Sequence, residues 1–156
     1  MASTDITAPL ARIKALIEGI AAIGPVYAFD LFSRTDLSTL IVSEISGTRT
    51  MRAWWITGPT MVGKPMVQSA TGWLERTWLY TIYGIEGLTD DGTSITTLRA
   101  KALAICDALD PDRGLNGTCH RSDPTSIVVI ENRATWAGVG ASYAQLTKQV
   151  VTLSTP

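Results

Sequence analysis

Apolar residues change their period three times along this chain, and the changes mark its elements. Residues 76–86, Arg-Thr-Trp-Leu-Tyr-Thr-Ile-Tyr-Gly-Ile-Glu, are rich in aromatic and β-branched types, which suit a pleated surface. Period two puts Trp78, Tyr80 and Ile82 on one face and Leu79, Tyr83 and Ile85 on the other, so a strand covered on both sides is predicted. After the turn 87–92, Ile95, Leu98, Ala102, Ile105 and Leu109 recur at three and four residues, one stripe of a helix. Thr93 or Ser94 is positioned to cap it, and Pro111 stops it. Its opposite side carries Thr96, Ala100, Ala104 and Asp107, small residues that allow close approach of another surface. Alanine also favours helix in its own right, so Ala100 and Ala104 fit that plainer account too.

Ile6, Leu10, Ile13, Ile17 and Ile20 form an equivalent stripe nearer the start. Thr7 is the expected cap, Pro9 suits the first turn, and Gly24-Pro25 is the expected stop. Strands follow at 26–32, 39–46 and 51–57, separated by polar turns at 34–38 and 47–49. Neighbouring Trp54 and Trp55 must face opposite sides of the third. Residues 58–74 break the alternation with Gly58-Pro59, Gly63, Lys64-Pro65 and Gly72, and read as a long arm or loop. Met61, Val62, Met66 and Val67 within it are poorly suited to solvent, which points to a partner or to a flap over the chain's own core. Residues 110–125 read as a second long loop, 127–134 as a strand, and 143–153 as the last strand. Tyr143, Gln145, Thr147, Gln149, Val151 and Leu153 share one of its sides, and Gly138, Gly140 and Ala141 sit in the connection before it. Blocks of strands between helices predict an α+β fold. The expectation is two layers, a mostly antiparallel sheet with two helices on one face, and a long hairpin-like arm. A single domain over 1–156 is expected.

Composition adds one point. Only 17% of the residues are charged against 46% hydrophobic, with a net charge of −1, which suggests surface hidden in an assembly. No basic run indicates nucleic-acid reading, no apolar run has membrane-spanning length, and the start does not resemble a signal peptide. Cys106 and Cys119 make no disulfide framework, and free thiols in a reducing cytoplasm are expected.

Candidate chemistry is sparse. Gly58-Pro-Thr-Met-Val-Gly63-Lys64 fits a phosphate loop up to its last position, where Pro65 replaces the metal-binding hydroxyl. Ile127-Val-Val-Ile-Glu131 is like the apolar strand ending in an acid that serves such a site, but the strand–helix alternation of that fold is missing. A histidine mechanism would have to use His120, the sole histidine, beside Cys119. Cys106, Cys119 and His120 lack a metal-site spacing, and Asp90, Asp91, Asp110, Asp112 and Asp123 fall at turns, where aspartate makes local hydrogen bonds. No enzyme, cofactor or metal site is expected. Trp54, Trp55, Met61, Met66, Trp73, Ala100 and Ala104 are the candidates for contact with other subunits. Arg34, Arg49, Arg52 and Lys64 are candidates for charge lining a channel.

The layout resembles the tailed-phage tail-terminator and tail-completion (head–tail joining) family over nearly the whole chain. The resemblance lies in the first helix ending at Gly24-Pro25, the strands through 51–57, the arm, and Arg76-Thr-Trp-Leu-Tyr-Thr-Ile-Tyr leading into the helix at 98–109. It ends with Ile-Val-Val-Ile-Glu-Asn-Arg (127–133) and Tyr-Ala-Gln-Leu-Thr-Lys-Gln-Val-Val-Thr-Leu (143–153). The resemblance implies a hexameric ring at the head-proximal end of the tail tube, assembled in the host cytoplasm and retained in the virion. Such a ring stops tube polymerisation, meets the tube protein on one side and the head connector on the other, and lets DNA pass without reading it. Another neck subunit is the nearest alternative, and a degenerate phosphate-loop protein the alternative of a different class.

Overall fold

The computed structural model describes residues 6–28, 42–45, 48–68, 70–88, 92–136 and 139–154, with backbone alone at 42–45, 48–50, 133–136 and 139. The order is α1 (Thr7–Glu18), β1 (Val26–Tyr27), β2 (Val42–Ile45), β3 (Thr48–Val67), β4 (Leu74–Gly87), α2 (Ser94–Leu109), β5 (Arg121–Ser122), β6 (Ser126–Trp136) and β7 (Val139–Ser154). The protein is α+β, with a curled, mostly antiparallel sheet and both helices on one face.

β3, β4 and β7 form the centre of the sheet, in that order. β3 pairs with β4 from Arg52↔Glu86 to Val67↔Leu74, and β4 with β7 from Gly87↔Ala141 to Leu74↔Ser154. β1 runs parallel to β3 and β2 antiparallel to it, while β5 and β6 both lie on the far side of β7. Ile13 and Ile17 of α1 and Leu98, Ala102, Ile105 and Leu109 of α2 pack on Trp54, Ile56, Tyr80, Ile82, Ala144, Leu146 and Val150. Both helical stripes thus face the core as their spacing predicts. Truncating one of these buried branched side chains to alanine costs about 2–5 kcal/mol.

The reverse face carries a second, smaller cluster of Met51, Ala53, Trp55, Ile85 and Ala141, with Tyr27 and Tyr83 against it. Trp55 and Tyr83 stack with ring centroids 5.5 Å apart. The even and odd positions of 76–86 therefore serve two different clusters, as their alternation requires.

Several boundaries differ from those read in the sequence. α1 stops at Glu18, with Gly19 as its cap, because glycine is a poor helix former; Gly24 lies well beyond the end. Ile6, not Thr7, precedes α1, and neither helix start has a side-chain cap hydrogen bond, Thr93 included. The strand expected over 26–32 is described at 26–27, that over 39–46 at 42–45, and Thr48 and Arg49 belong to β3 rather than to a turn. The second long loop contains β5, and Gly140 and Ala141 are already in β7. The expected turn at 34–38, with Gly138, Asp90 and Asp91, lies outside the described residues.

The largest correction concerns 58–74. Residues 58–67 are strand, continuous with the β3 core and paired to β4 through two interruptions, at Thr57/Thr60 and Val62/Met66. Glycine and proline mark these irregularities rather than a loop. Gly58 has φ +102° and Gly63 φ +71°, left-handed values that favour glycine, and the Gly58–Pro59 peptide is cis. At Gly58 a Cβ would also stand 2.8 Å from the Leu79 carbonyl oxygen. The link to β4 is closed by backbone hydrogen bonds: Gln68 N–H donates to Trp73 O and Gly72 N–H to Gln68 O, both at 2.8 Å.

Candidate functional site

The far end of the β3–β4 hairpin is the most conspicuous apolar surface of the described residues. Met61 and Val62 are 44% and 40% exposed, and Met66 and Val67 reach 65% and 66%. Alternation and the second irregularity distribute them over both faces: Met61 stands level with Trp78, Val62 with Thr77, Met66 with Glu75 and Val67 with Leu74. Lys64 is exposed between them. A soluble chain that stood alone would gain nothing from four such side chains together at one tip, whereas scattered single ones are ordinary.

The hairpin is held at its base. Glu75, almost fully buried, accepts from Gln68 Nε2 at 3.0 Å and from Arg121 Nη2 of β5 at 2.9 Å. The Gln68 hydrogen bond, with Arg121 assisting, holds the Glu75 carboxyl below its ordinary pKa against the effect of burial. Trp78 Nε1–H donates to Thr152 Oγ1 at 2.9 Å, and Arg76 Nη1 donates to Ser154 Oγ at 2.7 Å. The tip thus projects from a fixed root.

The other candidates fall in different places. Trp54 and Trp55 both have 0% exposure, one in each cluster, so the chain itself seals both and neither presents surface to another subunit. The reason is the curl of the sheet, which lets Met51, Ala53, Ile85 and Ala141 cover the reverse side. Trp73 is half-buried in the hairpin turn. Ala100 is exposed and Ala104 half-buried on the outer side of α2, beside Leu103 at 58% exposure.

Arg52 is not open channel charge. Its Nε and Nη2 donate to Glu86 Oε1 at 2.9 and 2.6 Å, and Lys101 Nζ donates to Glu86 Oε2 at 2.7 Å. This triad ties β3, β4 and α2 beneath the helix layer; burial lowers the Lys101 pKa while Glu86 opposes the shift. Arg49 lies in β3 opposite Glu44, its side chain outside the described residues, as is all of Arg34. Lys64 alone of the four is an open cation on the described surface.

The phosphate-loop match has the wrong context. Gly58–Lys64 lies along a strand whose continuation is a turn and an antiparallel strand, whereas a phosphate loop wraps into a helix N-terminus. Ile127–Glu131 lies in β6, separated from β3 by β7 and β4. His120 is exposed and its backbone N–H donates to Val151 O. Burial pushes the Cys106 thiol up, and the Cys119 thiol up to about 11, so both are protonated near neutrality. Cys106 and Cys119 are free thiols packed against the main core. Among the described residues no group of three or more His, Cys, Asp or Glu is placed to hold a metal ion.

Two of the turn aspartates reach beyond local bonds. Asp110 accepts from Thr125 N–H and Oγ1–H, both at 2.7 Å, and from Lys148 Nζ at 3.0 Å. Burial opposes its ionisation, but these donors outweigh burial and its pKa is lowered. Asp112 accepts from Asn116 N–H and from Arg12 of α1, and its pKa is lowered as well, the Asn116 bond contributing most.

Sequence reasoning missed a second exposed apolar patch. Ile127 and Val128, at the start of β6, are 40% and 56% exposed. The run Ile127-Val-Val-Ile130 reads as an apolar strand, with nothing in it to mark exposure, but an irregularity at Val128 turns part of it outward. No family model matches this chain, and no curated protein matches it.

Proposed function

We propose that this chain is a structural subunit of a tailed-phage tail, the terminator that closes the head-proximal end of the tube as a ring, and that it performs no chemistry of its own.

 What supports the reading is the exposed end of the β3–β4 hairpin, where Met61, Val62, Met66 and Val67 surround Lys64 on a rigid root. Contact with copies of the chain, the tube protein and a head connector would cover such a surface, and apolar side chains at the centre of an interface supply most of its energy. The low charge density is also of the kind expected for an assembled subunit. Six copies would surround a lumen through which DNA passes, held only by charge. In this reading the protein resides in the virion, at the head-proximal end of the tail.

Sedimentation of the purified chain, alone and with tail-tube subunits, tests the reading, since a terminator can stay single until it meets the tube. A species of several copies, alone or on tube ends, is the expected result, and a chain that stays single in both conditions contradicts it. Nucleotide titration of the native chain and of Lys64→Ala separates the alternative of a different class: nucleotide binding that is lost in the variant would replace the ring by a phosphate site.

A further inference from the structure

The outer half of the β3–β4 hairpin owes little to the buried cores. Among the described residues none from 57 to 77 belongs to either apolar cluster, and Met66 and Val67 are exposed. Segments with few buried apolar contacts open locally at lower cost than the core does. Polar side chains supplement the strand ladder here: Arg76 and Trp78 tie the hairpin to β7, and Glu75 ties it to β5. Each oxygen of Glu75 serves a different segment. Oε2 accepts from Gln68 Nε2 at 3.0 Å, and Oε1 accepts from Arg121 Nη2 at 2.9 Å. Gln68 organises the link between the two strands, since its backbone N–H donates to Trp73 O and its backbone O accepts from Gly72 N–H. Arg121 belongs to a strand of two residues, paired to β7 as Arg121↔Val151 and Ser122↔Val150.

Only an ionised carboxylate offers an unprotonated acceptor to both donors at once. A protonated carboxyl, or the amide of a glutamine, turns hydrogen toward one of the two. We propose that Glu75 is a charge-operated latch: while ionised it fastens the Gln68–Trp73 end of the hairpin to β5, and once neutral it lets the hairpin end and β5 loosen together while both cores stay folded. Arg121 and His120, both from the β5 side, are the charged and titratable groups that act on it. Met66 of β3 and Leu153 of β7 stand level with it and are apolar. The Glu75 carboxyl is held below its ordinary pKa, so the fastening is complete at neutral pH and is lost as the pH falls through that lowered value. The latch belongs to the single chain and does not depend on the ring reading.

Hydrogen exchange of backbone amides tests it, in the native chain, Glu75→Gln and Arg121→Gln, read as protection relative to the intrinsic rate at each pH. At neutral pH both variants are expected to lose about tenfold in protection at 66–68, 73–75 and 121–122, with the amides of 98–105 in α2 unchanged. In acid the hairpin amides of the native chain are expected to fall to the level of Glu75→Gln, whose own hairpin protection hardly moves. Arg121, whose side chain is 51% exposed, carries the test should Glu75→Gln fail to fold. Hairpin amides that keep native protection in both variants overturn the latch. Equal loss across α2 overturns it too, because Glu75 would then support the whole fold. Loosening in Glu75→Gln but not in Arg121→Gln also overturns it, by placing the hold in Gln68 alone.

Discussion

At the scale of single residues, close packing and ion pairing decide what can change. Trp54 lies flat over Gly84 of the neighbouring strand, and a Cβ there would stand 2.5 Å from the indole ring. Gly84→Ala is expected to cost about 1–3 kcal/mol in urea unfolding, with part recovered when Trp54 is also made leucine. The acid side of the stability profile belongs to Glu75, Asp110 and Asp112, whose pKa values are lowered in the fold. A lowered carboxyl contributes stability that is full above its unfolded pKa and is lost as pH falls through the folded one. Urea midpoints should therefore hold steady down to about pH 5 and drop below it, with a shallower drop in Asp110→Asn. None of these partnerships was legible beforehand. Arg52, Glu86 and Lys101 are far apart in sequence, and only the pairing of β3 with β4 and the docking of α2 make them a triad.

At the scale of elements, both helices and the two-faced β4 were legible because their periods are long and undisturbed. The hairpin-like arm was legible too, but not the strand pairing within it, since glycine and proline mark a strand irregularity and a loop with the same letters. What distinguishes them is the pairing of 60–62 and 66–67 with β4, which no single stretch announces. The opposite faces of Trp54 and Trp55 follow from alternation alone, but the cover over Trp55 comes from the curl of the sheet and has no local signature. Removing apolar surface from the hairpin end tests its role as an element. Replacing Met61 and Met66 by serine should leave the urea midpoint of the single chain within about 0.5 kcal/mol of native, since both side chains are exposed. Sedimentation of the same variant should show weakened association. A large loss of stability with unchanged association would make the hairpin end a part of the chain's own fold.

At the scale of the whole molecule, the sheet divides the labour. Its helix face and the small reverse cluster hold the chain together, and its hairpin end and the start of β6 carry exposed apolar side chains. The α+β class was legible from the order of the blocks, whereas the second patch at Ile127 and Val128 was hidden in an apolar run with nothing in it to mark exposure. The proposed role makes one demand on the intact protein: it must stop a growing tube. The direct measurement is the length of tail tubes, seen by electron microscopy, when tube subunits polymerise with and without this chain. Short tubes bearing a ring at one end are the predicted result. Tubes that grow to the same length with bare ends, at concentrations where the chain is in excess, would contradict the account.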